Sequence, residues 1–152
     1  MNSVATLALL LLIVQAVPEA STCPSGWTLS GSSCYRHFSD TKTWNDAEAD
    51  CVIEGGHLVS IESLNENNVV YNLRGTGTSL GDDIWIGLND KAVENSFVWS
   101  DGTVSPYRYW SDNKPDGDSD CTKMISSGKW DDYYCSVFFF RHPFGKLRCE
   151  FG

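Results

Sequence analysis

Five aspartates that lie near one another in the sequence could bind a metal ion. They form a group of three in the segment NKPDGDSDC, residues 113–121, and a pair directly after a tryptophan: Asp116, Asp118, Asp120, Asp131 and Asp132. Calcium takes about six to eight oxygen ligands, mostly carboxylates and carbonyls on flexible loops. Solvated turns would account for the same aspartates without a metal. Lys114, beside the first group, carries a charge that opposes a cation.

The chain contains six cysteines: Cys23, Cys34, Cys51, Cys121, Cys135 and Cys149. Their pairing determines whether the two groups of aspartates can lie close together. An even number of cysteines in an oxidising compartment predicts disulfides, although the spacing alone leaves their connectivity open. Zinc binding is disfavoured because the sequence has no C-x-x-C pair and no cluster of histidines. A bridge between Cys121 and Cys135 would bring the two acidic groups together.

Residues 1–20 have the pattern of a secretory signal peptide. Residues 4–14 form an apolar run that is much shorter than the ~20 residues of a membrane span. Small residues precede two acceptable cleavage points. We therefore expect cleavage after Ala16 or Ala20, a secreted, extracellular and soluble mature protein, and no transmembrane anchor.

The composition bounds both the domain count and the function. A chain of 152 residues suffices for one domain with a hydrophobic core. Its 20 acidic and 11 basic residues give a net charge of −9, which argues against nucleic acid as a partner. An enzyme is not expected either, because His37, His57 and His142 are scattered and no serine or cysteine has a plausible base partner.

Helical periodicity is confined to the first half of the chain. In TWNDAEADCVIEGG, Thr43 can cap a helix whose buried face is predicted to comprise Trp44, Ala47, Cys51 and Val52. Gly55 and Gly56 end this helix.

A second helix is predicted to begin at the capping box formed by Ser63 and Glu66. Its inward face should carry Val69, Val70 and Leu73. The remaining segments are short, rich in aromatic and β-branched residues, and separated by turns such as SDG and SSG. A long polar region lies between Asp90 and Cys121. Two helices, short strands and one large loop predict an α+β domain.

Residues 23–151 resemble a C-type lectin-like domain in its longer form. The resemblance rests on GGHLVSI at 55–61, WIGL at 85–88, the Lys-Pro-Asp element at 114–116, WDD at 130–132, and the order of the six cysteines. It implies small antiparallel sheets flanked by two helices, with a long ligand-binding loop. It also implies three disulfides, which pair Cys23 with Cys34, Cys51 with Cys149, and Cys121 with Cys135.

The resemblance further implies a calcium ion that holds a carbohydrate through two of its hydroxyls. Carried over to this chain, the metal ligands are Asp116, Asp118, Asp131 and Asp132, and the carbohydrate-binding residues are Lys114, Asp116, Asp118 and Asp131. Asp131 stands where the family usually has asparagine. Trp130 is expected to be a core residue beneath the site rather than a platform for sugar.

Lys114 departs from the family, which has Glu or Gln at this position. An ammonium group has three donors and no acceptor, so it cannot be a calcium ligand. Lys114 could turn outward beside a weakly bound calcium, pair with Asp116 or Asp131 in place of the ion, or donate to a ligand beside a retained calcium. Because five carboxylates surround one lysine, the sequence favours the arrangements that retain the ion.

Two further features follow from the resemblance. Family members with aspartate after the proline resemble galactose binders rather than mannose binders, so Asp116 favours galactose. The pattern also includes the residue before the proline, and there Lys114 departs from it. Asp90, Glu94 and Asp120 match ligands of an auxiliary calcium site, and Gly117 stands near the position of a missing ligand. An exposed polar loop without a metal would account for the same residues.

The segment CSVFFFRHPFGKLRC is longer than its counterpart in most family members. It is interpreted as a core strand over residues 137–140 followed by a solvated hairpin. Alternatively, its four basic residues could contact an anionic surface: Arg141, His142, Lys146 and Arg148.

The leading hypothesis is a secreted lectin that binds glycans on microbial or self surfaces, as in innate immunity, through loop-bound Ca²⁺. Weak single-site affinity would make a homo-oligomer useful, because several sites then act together. The alternative is a calcium-independent domain that binds a protein or an anionic glycan, with Lys114 in the place of the cation.

Overall fold

The computed structural model describes residues 22–38, 41–73, 83–138 and 144–148. The predicted signal peptide and Cys149 lie outside these residues. Within them, the chain forms two helices and two small sheets, which confirms the α+β prediction. In chain order the elements are β1 Thr28–Ser30, β2 Ser33–His37, α1 Trp44–Ile53, β3 His57–Leu58, α2 Leu64–Leu73, β4 Ile84–Asn89, β5 Val98–Trp99, β6 Cys121–Met124, β7 Trp130–Tyr133 and β8 Phe144–Arg148.

The first sheet joins the two ends of the domain. Its strand order is β1-β2-β8-β3, and every pair is antiparallel. Strand β8 therefore lies between β2 and β3, with Lys146 opposite Tyr35 on one side and His57 on the other. The last described strand is thus an interior strand of the sheet.

This topology corrects the prediction for the basic segment. Val137 and Phe138 are not in a strand, and the Phe138 side chain is exposed. Lys146 and Arg148 lie in β8 rather than in a solvated hairpin, while residues 139–143 are outside the described residues. Apolar character placed the strand at Val137 and Phe138, whereas the described strand of this segment is β8, which is selected by its backbone pairing with β2 and β3.

Helix α1 begins as predicted and packs against the second sheet. The Thr43 hydroxyl accepts a hydrogen bond from the Asp46 N–H at 3.2 Å. Trp44 is buried, and its indole N–H donates to the carbonyl of Ile86 in β4 at 2.8 Å. Trp44, Ala47 and Cys51 form the buried face. Placing Val52 on that face was wrong: it is about 100° around the helix from Cys51 and half exposed.

Helix α2 has only half of the predicted capping box. The Ser63 hydroxyl accepts from the Glu66 N–H at 3.2 Å. The Glu66 carboxylate instead accepts from the Glu62 N–H at 2.8 Å and from the Tyr35 hydroxyl at 2.7 Å, which ties the helix to β2. Of the predicted inward residues, Val70 is buried, while Val69 and Leu73 are partly buried against the core.

The second sheet has the order β5-β4-β6-β7 and carries the main core on one face. A buried amide links this core to α2. Asn67 accepts from the Trp130 indole N–H at 2.8 Å and donates to the Gly128 carbonyl at 3.0 Å. Trp130 is fully buried, as the sequence predicted. Its fixed position anchors the start of β7, where Asp131 and Asp132 follow.

Two of the three predicted disulfides lie among the described residues. Cys23 is bonded to Cys34 and Cys121 to Cys135, with Cα–Cα distances of 5.6 and 5.2 Å. Cys51 is buried in α1, and its predicted bond to Cys149 stays a prediction. No helix in the described part of the chain has the length and apolar character needed to cross a membrane.

We predict that Asn67→Leu lowers the free energy of unfolding by about 2–4 kcal/mol, because it leaves an indole N–H and a carbonyl unpaired in the core. Urea unfolding measures the loss. The matched control is Asn68→Leu on the exposed face of the same helix, which should change the free energy by no more than about 0.5 kcal/mol. Equal effects of the two substitutions would contradict a structural role for the buried amide.

Candidate ligand-binding site

A long loop region, residues 90–120, contains the short strand β5 and connects β4 to β6. It carries the predicted ligand-binding residues other than Asp131 and Asp132, which lie in β7. Its two ends meet where the Asp90 N–H donates to the Asp120 carbonyl at 3.0 Å. Directly after it, the disulfide between Cys121 and Cys135 joins β6 to the segment that follows β7. The pairing of β6 with β7 then sets Thr122 opposite Asp132. These connections place the loop beside the WDD segment, as the resemblance implied.

The middle of the loop is fixed to the first residue of β7. The Ser111 N–H donates to the Trp130 carbonyl at 2.8 Å, and the Trp130 N–H donates to the Tyr109 carbonyl at 2.9 Å. The chain then turns, with Asn113 at φ +62°, a left-handed conformation that asparagine tolerates better than most residues. The peptide bond between Lys114 and Pro115 is cis. The turn at Asn113 directs Lys114 back towards β7.

Lys114 occupies the centre of the acidic group. Its ammonium donates to Asp116 Oδ2 at 2.5 Å and lies 3.1 Å from Asp132 Oδ1. It also lies 3.4 Å from the main-chain carbonyl of Asp132. We call this set, Lys114 with Asp116 and Asp132, the lysine bridge. Of the arrangements considered at the level of sequence, the observed contacts match the pairing of Lys114 with neighbouring aspartates, with Asp132 rather than Asp131 beside Asp116.

Asp132 connects the lysine bridge to the loop backbone. Its side chain is 0% exposed, and its Oδ2 accepts from the N–H groups of Asp116 at 3.1 Å and Gly117 at 3.2 Å. Its Oδ1 has no aligned hydrogen bond, so its compensation is the charge of Lys114. The buried carboxylate therefore holds both the lysine and the two residues that follow the proline.

The other two predicted ligands of the principal calcium site are not part of this set. The Asp131 carboxylate accepts a short hydrogen bond from the Ser111 hydroxyl. Asp131 and Asp132 are consecutive in a strand, so their side chains leave on opposite faces. Asp118 is exposed and contacts the bridge through its backbone N–H, which donates to Asp116 Oδ1 at 3.3 Å.

The three predicted auxiliary ligands lie at the base of the loop. Asp90 is buried, and its Oδ2 accepts from the Asn95 N–H at 2.8 Å, while its Oδ1 has no hydrogen-bond partner. Glu94 is exposed near Gly117, where a Cβ would lie 3.8 Å from its Oε1. Burial and the carboxylates of Asp120 and Asp132 raise the pKa of Asp90. Desolvation and the carboxylates of Asp90 and Asp120 raise the pKa of Glu94.

The side chains around Lys114 do not fit a calcium ion in this arrangement. A cation there would compete with the ammonium for Asp116 and Asp132, and Asp131 is bonded elsewhere. Among the described residues, no three or more histidine, cysteine, aspartate or glutamate side chains converge on a point that could hold a metal. Both calcium sites stay predictions, and the principal one is disfavoured by this geometry.

Lys114 and Asp116 stabilise each other's ionised state. Partial burial acts to lower the pKa of Lys114, but its contacts with the carboxylates of Asp116 and Asp132 outweigh it, so the net effect is a raised pKa. The hydrogen bond from Lys114 lowers the pKa of Asp116. Both groups are therefore charged across the neutral range.

One hydroxyl–carboxylate–imidazole set lies apart from the loop. Glu48 accepts from the Ser100 hydroxyl at 3.0 Å and from the Leu58 N–H at 2.9 Å, and lies 2.5 Å from His57 Nδ1. Here the carboxylate, not the imidazole, contacts the serine. A nucleophilic serine needs the imidazole as its base, so this set lacks the geometry of a catalytic triad. It joins α1 to β3 and to the residue that follows β5.

Sequence reasoning missed Ser111 as the partner of Asp131 and Asn95 as the partner of Asp90. Ser111 carried no motif in the sequence, and only the hydrogen bonding of the loop to Trp130 places it beside Asp131. Asn95 did carry a signal, because an asparagine in a turn is suited to its φ of +63°.

The chain belongs to the C-type lectin family. The family described as "Lectin C-type domain" matches residues 40–139. Echinoidin of Heliocidaris crassispina is 36% identical over 131 residues, which cover 75% of this chain and 89% of that protein. The alpha-N-acetylgalactosamine-specific lectin of Patiria pectinifera is 36% identical over 121 residues, covering 72% of each chain. A solved calcium-independent type II antifreeze protein superposes with a TM-score of 0.77 and 32% identity over 87% of this chain and 98% of that one.

We predict that Lys114→Met lowers the free energy of unfolding by about 2–4 kcal/mol, because it leaves the buried Asp132 without a counter-charge. Chemical unfolding at neutral pH without calcium measures the loss. The control is Lys129→Met, whose partner Asp112 is 92% exposed, and it should cost less than about 0.5 kcal/mol. If both variants lose the same small amount, the lysine bridge does not hold the loop.

The stabilising effect of the lysine bridge should change only at strongly acidic and strongly alkaline pH. Because the pKa of Asp116 is lowered by folding, its contribution is present above the ordinary carboxyl value of about 3.9 and is lost as pH falls through the lower folded value. Because the pKa of Lys114 is raised, its contribution is lost only above about pH 10.5. The stability difference between wild type and Lys114→Met should thus be constant between roughly pH 5 and 9. A difference that changes steeply within that range would contradict the assignment.

Proposed function

We propose that this chain is a secreted, carbohydrate-binding lectin whose binding loop is organised by Lys114 instead of a calcium ion. The observation that carries the proposal is the lysine bridge, in which one ammonium compensates Asp116 and the buried Asp132. A calcium ion in this family would join the same loop to the same strand. The lysine supplies that connection from within the chain.

The exposed side of the lysine bridge offers hydrogen bonds to sugar hydroxyls. The Asp116 side chain is 43% exposed and that of Lys114 is 22% exposed. A hydroxyl can donate to a carboxylate and accept from an ammonium, so neighbouring hydroxyls of one sugar can bond to both. Asp118 is exposed beside them and adds a further acceptor. The position of Asp116 after the proline favours galactose-type ligands.

Two relatives support the two halves of the proposal. One is named as a lectin specific for alpha-N-acetylgalactosamine, and the other as a calcium-independent antifreeze protein. Carbohydrate binding and calcium independence therefore each occur in proteins similar to this chain. The two disulfides support secretion, because such bonds persist in oxidising compartments.

A glycan array probed with the mature protein tests the proposal. We expect binding to galactose- or N-acetylgalactosamine-terminated glycans that is the same in EDTA and in millimolar calcium. Asp116→Ala should reduce the signal by about tenfold, because it removes a charged acceptor. The control Asp112→Ala, outside the lysine bridge, should retain it. Binding that requires calcium would contradict calcium independence, and binding to no glycan in either buffer would contradict the lectin assignment.

A further inference from the structure

A cavity of about 330 Å³ lies in the first half of the loop region, separate from the lysine bridge. It is formed by β5 and by residues on either side of it in the chain: Phe97, Val98, Trp99, Gly102, Thr103, Val104, Ser105 and Arg108. Its volume is at the lower end of the range for small-molecule sites, roughly 300–1,000 Å³. None of the residues of the lysine bridge lines it.

Much of the wall of this cavity is apolar and open to solvent. Val104 is 96% exposed and Val98 is 51% exposed. An exposed valine on its own is unremarkable. Here, two of them border a concave surface that also includes Phe97 and Trp99, so an apolar group bound there would be shielded from water on several sides.

Arg108 brings an uncompensated positive charge to the cavity. Its guanidinium donates to the carbonyls of Ser105 at 2.8 Å, Tyr107 at 2.7 Å and Phe97 at 3.1 Å. These carbonyls carry no net charge, and no carboxylate of the described residues forms an ion pair with Arg108. Partial burial lowers the pKa of Arg108, as expected for a desolvated cation.

The remaining lining residues carry no negatively charged side chain that would repel an anion. The buried indole N–H of Trp99 has no hydrogen-bond partner. No aspartate or glutamate lines the cavity, although the protein carries 20 of them. The nearby Asp101 is already engaged, because its carboxylate accepts from the Ser60 hydroxyl at 2.5 Å and the Thr103 N–H at 2.9 Å.

We propose that this cavity binds a small organic carboxylate with an apolar body, its carboxylate paired with Arg108 and its apolar part against Val98 and Val104. The clamp that Arg108 forms on three carbonyls explains why the residue is held in place. Hydrogen bonding of Arg108 to these carbonyls would not by itself require an exposed apolar wall or a lining without carboxylates. Charge and apolar surface together select an amphipathic anion.

Three probes of equal chain length separate the charge from the apolar contribution: octanoate, octanol and octylammonium. Each is titrated into the mature protein in EDTA, with calorimetry for affinity and the assigned Trp99 indole N–H resonance for location. We expect octanoate to bind at least about fivefold more tightly than octanol, and octylammonium more weakly than either. Equal binding of the three probes, no octanoate binding at millimolar concentration, or an unmoved Trp99 resonance would overturn the proposal.

Substitutions at the cavity mouth avoid disturbing the loop, which replacement of Arg108 would do. Val104→Asp should weaken octanoate binding by roughly threefold to tenfold relative to Val104→Asn, which is similar in shape but neutral. Val93→Asp adds the same charge at an exposed valine outside the lining and should leave binding unchanged. Equal affinities of the Asp and Asn variants at position 104 would overturn the proposal.

The lysine bridge provides an independent control. Asp116→Ala should reduce glycan binding by about tenfold and leave octanoate binding intact, because Asp116 does not line the cavity. Octanoate binding that is lost in Asp116→Ala would place the ligand at the lectin site and overturn the assignment to the cavity.

Discussion

A carboxylate without exposed surface needs a compensating charge, and in this domain Asp132 obtains it from Lys114. The same carboxylate accepts hydrogen bonds from the backbone of Asp116 and Gly117. The position of the loop tip, the orientation of the lysine and the exposure of Asp116 therefore all depend on one buried group. In family members with calcium, a divalent ion would connect these elements. In this chain the connection is part of the polypeptide.

The scaffold fixes both partners of this ion pair. Trp130 is held by Asn67 in the core, which sets the start of β7 and hence Asp132. The disulfide between Cys121 and Cys135 and the contact between Asp90 and Asp120 fix the ends of the loop. The short turn after Ser111 then brings Lys114 to Asp132. The result is a polar surface of one cation and several carboxylates, suited to hydroxyl groups. A separate apolar cavity lies next to Arg108, which forms no ion pair with the described residues.

Much of the fold could be predicted from the sequence because local signals agreed with the tertiary structure. Thr43 caps α1, Ser63 caps α2, and the WIGL and WDD segments are strands. Val52 and residues 137–138 were misplaced because apolar character was interpreted without knowledge of the neighbouring elements. The sequence predicted which residues lie near the site but not how their side chains are arranged. Whether Lys114 turns outward or inward depends on where the loop places it relative to Asp132, and that distance is set by contacts between residues far apart in the sequence.

Hydrogen exchange at the loop tip is the most direct test of the claim that Lys114 replaces calcium. The backbone N–H groups of Asp116 and Gly117 report the contact with Asp132. Exchange rates should be the same in EDTA and in millimolar calcium for the wild type, and clearly faster in Lys114→Met. Protection of these two groups that arises only when calcium is added would contradict the account.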